Sequence, residues 1–287
     1  MPDPVLSRFA PAPTGFLHLG HVLNAIYVWG VTGARGGRVL LRIEDHDRQR
    51  SRAEYERAIL DDLDWLGFRS PEPLFRQSER HAIYEFALAR LRADGLVYAC
   101  ECSRSEISAA GKSGSELRYP GTCSGKGLPE RPGLGTRVRL APSIERFEDL
   151  AHSVCEQQPS AQCGDLLVRD REGNWTYQFV ATVDDLDQGV TLVIRGDDLL
   201  ASTGRQIQLA RLLGRTAPPR FLHHTLIMKT PTQKLSKSDG DTGVRDSRAR
   251  GWTAPQVIGH AALLAGLIDR PRPVAATDVP SLFREPV

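Results

Sequence analysis

The 287-residue sequence lacks the features that direct a protein into or across a membrane. Its first residues, MPDPVLSRFAPAP, contain no basic region followed by an apolar run, which argues against a secretory signal peptide. No stretch approaches the roughly 18 uninterrupted apolar residues that a membrane-spanning helix requires. The five cysteines are an odd number for a disulfide framework, which favours a reducing compartment. We therefore expect a cytoplasmic protein.

Strong net charge is also missing, because 37 Lys and Arg residues face 35 Asp and Glu residues. A net charge of +2 is too small to indicate a nucleic-acid partner by itself. The distribution is uneven, however, since residues 205–250 contain ten Lys or Arg and only three Asp. This basic segment is either a binding surface for a polyanion or a solvated surface with scattered arginines.

The sequence does contain a regular alternation of apolar strands and helices, with no internal repeat. Strands alternating with helices of this length predict an α/β fold with a parallel, Rossmann-like sheet. The predicted strands are 5–10, 38–44, 190–196 and 221–228, and the predicted helices are 21–29, 51–66, 78–94 and 203–213.

Local signals refine two of these elements. Ser51 and Glu54 have the spacing of a capping box at the start of the second helix. The string DLLVRDREGNWTYQFV, residues 165–180, predicts a β-hairpin that turns at 172–174.

The middle of the chain differs from the rest in composition and in hydrophobic periodicity. From residue 98 to about 141, glycine, serine and proline dominate and the periodicity is lost, which predicts an inserted module without a large core. The predicted organisation is a first half of the Rossmann-like domain at 1–97, the insertion at 98–164, the second half at 165–228, and a loop with a short helical module at 229–287.

The loop RFAPAPTGFLHLGH, residues 8–21, follows the first strand and leads into the first helix. In open parallel sheets this is the carboxyl edge, where ligands bind. His18 and His21 lie where the helix dipole favours an anion, and Gly20 lets a ligand approach the backbone. Two imidazoles at this place can donate hydrogen bonds to a phosphate, although paired histidines are also common as metal ligands or surface residues.

A second candidate is KLSKS, residues 234–238. Lys234 and Lys237, among small hydroxyl residues, suit a mobile clamp for a polyphosphate. The alternative is a solvated basic loop.

Three cysteines cluster in the inserted module. Cys100, Cys102 and Cys123 are thiolate donors in a segment that lacks a large core, and a structural zinc ion would supply the missing stability. The alternative is a reduced, metal-free loop. Cys155 and Cys163 match no pattern.

Taken together, the HLGH and KLSKS strings resemble the HIGH and KMSKS signatures of class I aminoacyl-tRNA synthetases. The strings RIEDHDRQRS, TYQFVATVDDLDQGVTLVIRGDDLL and STGRQIQL resemble the glutamyl/glutaminyl branch of that family. The resemblance covers residues 5–240. Three departures, Leu19, Leu235 and Ala12, keep the backbone or apolar role of the usual residue, and His46 stands where the branch usually has threonine.

The resemblance implies an ATP-dependent ligase that activates glutamate to glutamyl adenylate, with pyrophosphate as the leaving group. It implies that His18 and His21 stabilise the α-phosphate and that Gly20 lies against ATP. Lys237, assisted by Lys234, would hold the departing pyrophosphate, and Mg²⁺ would accompany ATP.

The resemblance also implies a glutamate site. Arg8 and Arg195 would bind the carboxylates, Glu44 the ammonium group, and Tyr177 would add a hydroxyl contact. The implied wall of the site is the strand end Phe9, Ala10, Pro11 and Ala12. From the residues alone, Glu44 has an alternative role in a salt bridge with Arg42, and Arg195 in an ion pair with Asp197 or Asp198.

For the zinc site, the resemblance implies Tyr119, in the string YPGTC, as the fourth ligand. Water or His152 are the alternatives.

Only 49 residues follow Ser238, too few for the helical anticodon-binding region of full-length glutamyl-tRNA synthetases. The chain therefore resembles the short members of the branch, which transfer glutamate to the queuosine base in the anticodon stem-loop of tRNA(Asp). We expect a monomer whose basic segment and zinc module face the tRNA. The alternatives are a minimal synthetase that charges the 3′ end of tRNA(Glu), a non-catalytic tRNA-binding paralogue, and a small-molecule nucleotidyltransferase.

Overall fold

The computed structural model describes residues 5–109, 112–113, 116–230, 233–234 and 243–283, and only the backbone at 112–113, 228–230 and 233–234. The strands in chain order are β1 (Leu6–Phe9), β2 (Arg38–Ile43), β3 (Phe75–Arg76), β4 (Val97–Cys100), β5 (Lys112–Ser113), β6 (Glu116–Leu117), β7 (Gly135–Val138), β8 (Glu145–Asp149), β9 (Ser153–Gln157), β10 (Leu166–Arg169), β11 (Leu192–Gly196), β12 (Arg220–His224), β13 (Met228–Thr230) and β14 (Gln233–Lys234). The helices are α1 (Leu19–Ala34), α2 (Ala53–Leu66), α3 (His81–Ala93), α4 (Arg104–Ala109), α5 (Pro159–Gln162), α6 (Tyr177–Asp187), α7 (Thr203–Leu212), α8 (Val244–Ala249) and α9 (Ala254–Leu264), with 3₁₀ turns at Gln77–Glu79, Asp197–Ser202 and Ala276–Phe283.

A parallel sheet lies at the centre of the fold, which confirms the predicted Rossmann-like class. One set of strands has the order β1-β2-β3, and a second set has the order β11-β12-β8, with β9 antiparallel at its edge. The two sets meet where the N–H of Thr191 donates to the carbonyl of Leu6 at 2.9 Å. From this junction the sheet continues through β2 and β3 on one side and through β12 and β8 on the other. The strand order therefore reverses between β1 and β11.

Helix α1 is buried under the sheet and packs closely against the end of the described chain. A Cβ atom at Gly30 would lie 2.3 Å from Cε2 of Phe283, so only glycine allows this contact. Val257 and Ala261 of α9 belong to the same core as α1. Residues 254–283 thus share the core of the main domain.

The predicted capping box is wrong. Helix α2 begins at Ala53, its N-cap is Arg52, and no side chain caps it. Instead, the N–H of Arg52 donates to the carbonyl of Pro13 at 3.0 Å. The start of α2 is therefore set by the loop that precedes α1.

The predicted hairpin at 165–180 is wrong in its second half. Strand β10 ends at Arg169, which forms a single bridge with Trp175, and the chain then enters α6. Phe179, Val180 and Val183 are buried together in the core. Their β-like composition is overridden by this packing, because it requires one helical face rather than an alternating strand.

A small antiparallel sheet of order β10-β7-β4 joins the insertion to the start of the second half of the domain. The insertion's own buried cluster consists of Tyr98, Cys100, Ile107, Tyr119 and Cys123. Within the part of the chain that the structure describes, every helix is too short or too polar to cross a lipid bilayer.

Candidate active site

A cavity of about 540 Å³ opens at the point where the strand order reverses. Ligands of open α/β sheets bind at this point, beside the carboxyl ends of the strands. The volume lies within the roughly 300–1,000 Å³ of small-molecule sites. The structure brings to the cavity wall both histidines, the glycine between them and every residue expected at the glutamate site: Arg8, Phe9, Ala10, Pro11, Ala12, His18, Gly20, His21, Glu44, Tyr177 and Arg195.

The two histidines cap the first turn of α1. The N–H of Gly20 donates to Nδ1 of His18, and the N–H of His18 donates to Nδ1 of His21, both at 3.1 Å. Since each Nδ1 accepts a backbone hydrogen bond, the proton of each neutral imidazole belongs on Nε2. A Cβ atom at Gly20 would lie 2.9 Å from Cε1 of His18, so glycine is needed for this ring position. The cap thus fixes the tautomer that donates through Nε2.

Lys237 lies outside the described residues, and Lys234 is described only as backbone of β14. The chain beyond the KLSKS string returns to the cavity, because Gly243 pairs with His18 in an isolated bridge. The N–H of Val244 also donates to the carbonyl of Leu17 at 3.0 Å. Gly243 and Val244, five and six residues after the end of the string, are therefore bonded to the HLGH loop.

A buried network of charges lies behind the cavity and reaches its wall at Arg8 and Glu44. Asp185 accepts hydrogen bonds from Nε of Arg8 at 3.0 Å and from a terminal nitrogen of Arg42 at 2.8 Å. Burial alone would raise the pKa of Asp185, but Arg8 and Arg42 outweigh burial and lower it. Asp185 and the arginines therefore stay charged and hold each other in place.

Glu44 lies at the end of this network. Its Oε1 is 3.3 Å from a terminal nitrogen of Arg42, so the expected salt bridge and the cavity position occur together. Burial raises the pKa of Glu44 against the opposing effect of Arg42. Burial and Glu44 also raise the pKa of Tyr177, which keeps its hydroxyl protonated as a donor. A cationic group in the cavity would complete the charge balance of Glu44.

Arg195 differs from the other arginines of the cavity because its bonded partners are neutral. Its side chain donates to Nε2 of His223 at 3.0 Å, to Oε1 of Gln206 at 2.7 Å and to Oγ1 of Thr203 at 2.9 Å.

The ion pair that we considered with Asp197 or Asp198 is not formed, and no carboxylate of the described ranges lies within 4.0 Å of the Arg195 nitrogens. A guanidinium that is 4% exposed and lacks a carboxylate is costly unless a ligand supplies one.

The three thiols of the insertion come together. The sulfur atoms of Cys100, Cys102 and Cys123 all lie within 4.8 Å of one another. The hydroxyl of Tyr119 lies 3.5 Å from Sγ of Cys100 and accepts the N–H of Cys123 at 2.8 Å. Three thiols this close together could hold a zinc ion, and the Tyr119 hydroxyl beside Cys100 could supply the fourth donor of a four-coordinate site.

His152 is not part of this thiol cluster, because its Nε2 bonds to Oδ1 of Asp197 at 2.9 Å. The alternative of His152 as a metal ligand is therefore wrong. Cys155 lies on β9, and Cys163 donates to the carbonyl of Pro159, so neither sulfur belongs to the cluster.

Four arginines of the basic segment, among its described residues, contact side chains of the same chain. Arg205 pairs with Glu116, and Arg211 pairs with Glu145. Arg245 and Arg248 stack instead on the rings of Phe16 and Trp65. Several of these arginines are thus engaged within the fold.

Sequence reasoning missed two groups that position the cavity arginines. Asp185 bridges Arg8 and Arg42, and His223 with Asp149 supports Arg195 from behind. A usable signal was present in the string FLHH, since polar residues at the carboxyl end of a parallel strand lie near the site.

Comparison with known proteins identifies the family of this arrangement. The family model "tRNA synthetases class I (E and Q), catalytic domain" matches residues 4–270. The Glutamyl-Q tRNA(Asp) synthetase of Rhodobacter capsulatus is 40% identical over 268 residues, which are 86% of this chain and 96% of the relative. The enzyme of the same name from Symbiobacterium thermophilum is 39% identical, covering 98% of this chain and 94% of the relative.

Solved structures with the same fold are longer. A glutamate tRNA ligase from Elizabethkingia meningosepticum, in complex with its amino acid, is 26% identical with a TM-score of 0.78. A glutamate-tRNA synthetase from Elizabethkingia anophelis is 27% identical with a TM-score of 0.76. This chain spans only 64% and 61% of those two proteins, respectively.

Proposed function

The chain belongs to the class I tRNA synthetase family for glutamate and glutamine, and we propose that it activates L-glutamate with ATP and transfers it to the queuosine base in the anticodon stem-loop of tRNA(Asp). The relatives that it matches over nearly their whole length carry the name Glutamyl-Q tRNA(Asp) synthetase. We also propose that the chain acts as a monomer.

The observation that carries glutamate as the substrate is the buried Arg195 without a carboxylate partner. A substrate carboxylate would complete its charge compensation, and a planar guanidinium matches a carboxylate in two parallel hydrogen bonds. Across the same cavity, Glu44 offers a buried carboxylate for the substrate ammonium. The cavity thus offers a positive group to a carboxylate of glutamate and a negative group to its ammonium.

Activation requires in-line attack of the glutamate α-carboxylate on the α-phosphorus of ATP, which forms the acyl phosphate bond and releases pyrophosphate. Nε2–H of His18 and of His21 would donate to the α-phosphate oxygens as their negative charge develops. Lys237, with Lys234, would hold the departing pyrophosphate. Catalysis rests mainly on positioning and charge stabilisation, because no side chain needs to form a covalent bond.

In the second step a hydroxyl of the queuosine base attacks the acyl carbon of the adenylate. An ester bond forms, the acyl phosphate bond breaks, AMP leaves with the electron pair, and the proton of the hydroxyl is released to solvent. Mg²⁺ bound with ATP would neutralise phosphate charge. Cys100, Cys102, Tyr119 and Cys123 would hold a structural zinc ion that stabilises the inserted module near the tRNA.

The test is the transfer of radiolabelled glutamate to purified tRNA(Asp), with and without queuosine, and to tRNA(Glu). We expect label only on queuosine-containing tRNA(Asp), with loss of label in His21→Ala. Label on tRNA(Glu) would contradict the proposal and indicate a minimal glutamyl-tRNA synthetase. No label on any tRNA would favour a non-catalytic tRNA-binding protein.

A further inference from the structure

A chain of three buried polar groups runs from β8 through β12 to the cavity. Asp149, His223 and Arg195 are at most 4% exposed. Oδ2 of Asp149 lies 2.5 Å from Nδ1 of His223, and Nε2 of His223 lies 3.0 Å from Nε of Arg195. The strand register explains the second contact, because Arg195 of β11 and His223 of β12 are direct partners.

Donor and acceptor rules fix the tautomer of His223. The Nε–H of Arg195 can only donate, so Nε2 of His223 must accept. The imidazole proton is then on Nδ1 and is donated to Asp149. Burial also lowers the pKa of His223 against the opposing effect of Asp149, in keeping with a neutral ring.

The orientation of Asp149 is fixed as well. Its Oδ1 accepts the N–H groups of Ala151 at 3.0 Å and His152 at 3.1 Å. Only Oδ2 is therefore directed at His223, and it can act there only as an acceptor.

Arg195 consequently receives a rigid support without direct neutralisation. Thr203 and Gln206 accept from its other two nitrogens, and His223 separates it from the carboxylate of Asp149. Arg8 shows the opposite arrangement, since Asp185 contacts it directly. The charge of Arg195 is thereby preserved for a ligand.

We propose that Asp149 and His223 are positioning residues that hold the guanidinium of Arg195 toward the cavity. Asp149 keeps the imidazole proton of His223 on Nδ1, so that Nε2 can accept the hydrogen bond from Arg195. Arg195 held in this way favours a substrate carboxylate over an amide, and therefore glutamate over glutamine. This inference rests on the proposed function of the cavity as a glutamate site. It adds two residues, neither of which lines the cavity, to the determinants of substrate choice.

Asp149→Asn gives a sharp test because it preserves shape. The amide oxygen of the substituted side chain must face the N–H groups of residues 151 and 152, which turns its NH₂ group toward Nδ1 of His223. The imidazole proton is then displaced to Nε2, where it opposes the Nε–H of Arg195. His223→Gln retains an acceptor for Arg195 but has no tautomer to invert.

The measurement is glutamate-dependent ATP–pyrophosphate exchange in the full chain without tRNA, with melting temperatures for each variant. We expect Asp149→Asn to raise KM for glutamate about 10- to 100-fold, to change KM for ATP less than about twofold, and to reduce the preference for glutamate over glutamine. In a chain that already carries His223→Gln, Asp149→Asn should raise KM for glutamate by less than about threefold, because glutamine has no imidazole tautomer to invert. Asp64→Asn, an exposed partner of Arg69, is the matched control and should stay within about twofold of wild type.

Additive effects of Asp149→Asn and His223→Gln, or equal losses for glutamate and ATP, would overturn the positioning role while leaving the proposed function intact. Absence of glutamate-dependent exchange in the wild type would overturn both.

Discussion

The cavity and the thiol cluster are built in opposite ways. The cavity collects side chains from Arg8 to Ile227, and the core beneath it includes α1 and α9. The three thiols come from residues 100–123, and Cys100 and Cys123 are themselves members of a buried cluster of only five residues. The cavity is held by the global fold and its ion pairs, whereas we propose that a zinc ion cross-links the thiol cluster locally. Each should therefore be removable without destroying the other.

The largest effect is expected where the cavity itself is broken. Arg195→Ala removes a buried charge from the glutamate site, and truncation of one partner of such a charged contact costs about 2–5 kcal/mol. We expect kcat/KM for glutamate to fall about 30- to 3,000-fold in pyrophosphate exchange, with zinc content unchanged. Arg146→Ala, whose side chain is 71% exposed, serves as control and should retain activity. A loss of less than about fivefold in Arg195→Ala would show that the substrate carboxylate lies elsewhere.

His21→Ala tests the phosphate side of the same cavity. Loss of one preorganised donor to a developing charge lowers kcat about 10²- to 10³-fold. KM for glutamate should change little, because the role that we propose for His21 is toward ATP and not toward the amino acid. The comparison is His260→Ala on α9, which lies away from the cavity. Equal losses in both histidine variants would point to a stability effect.

Breaking the thiol cluster should remove the zinc and reduce transfer to tRNA but leave glutamate activation in the cavity intact. We expect one zinc per chain by metal analysis, and we expect Cys123→Ser to lose it because one of the thiol donors is gone. Transfer to tRNA(Asp) should fall about tenfold or more, while tRNA-independent exchange stays within about twofold. Cys155→Ser removes a thiol outside the cluster and should keep both the zinc and the transfer activity. Parallel loss of exchange and transfer in Cys123→Ser would show that the two sites are not independent.

The smallest effect concerns a buried carboxyl group that lies outside the cavity. Asp62 of α2 is 1% exposed, its Oδ2 has no hydrogen-bond partner among the described residues, and burial raises its pKa to about 6. An acid with a raised folded pKa destabilises the protein above that pKa, so its cost disappears as the pH falls from about 7 toward about 4. Asp62→Asn should increase the free energy of unfolding by about 1–2 kcal/mol at about pH 7.5 and have almost no effect at about pH 4.

The exposed neighbour Asp61→Asn is the control for this variant. Urea unfolding at the two pH values measures both. A stabilisation of Asp62→Asn that is equal at the acidic and the near-neutral pH would contradict the assigned pKa.

How much the sequence predicts depends on the range of the interactions involved. The HLGH loop was singled out because it follows a strand of a parallel sheet, at the edge where ligands bind. Glu44 and Arg195 were assigned to the site only through the resemblance to the glutamyl/glutaminyl branch, because the residues alone also allow salt bridges within the fold. Helix α6 was misassigned because its apolar residues resemble a strand until the core selects one face. Asp149 and His223 are 74 residues apart, and no local pattern pairs them. The capping box failed because a contact with Pro13 sets the start of α2.

The most direct test of the central claim is the position of the transferred glutamate on the acceptor. Queuosine-containing tRNA(Asp) whose 3′-terminal adenosine has been removed would be incubated with labelled glutamate and ATP, and the label mapped after nuclease digestion. The account predicts undiminished label, confined to the fragment that carries the anticodon. Loss of label with the terminal adenosine, or label on the acceptor-end fragment of intact tRNA, would contradict it.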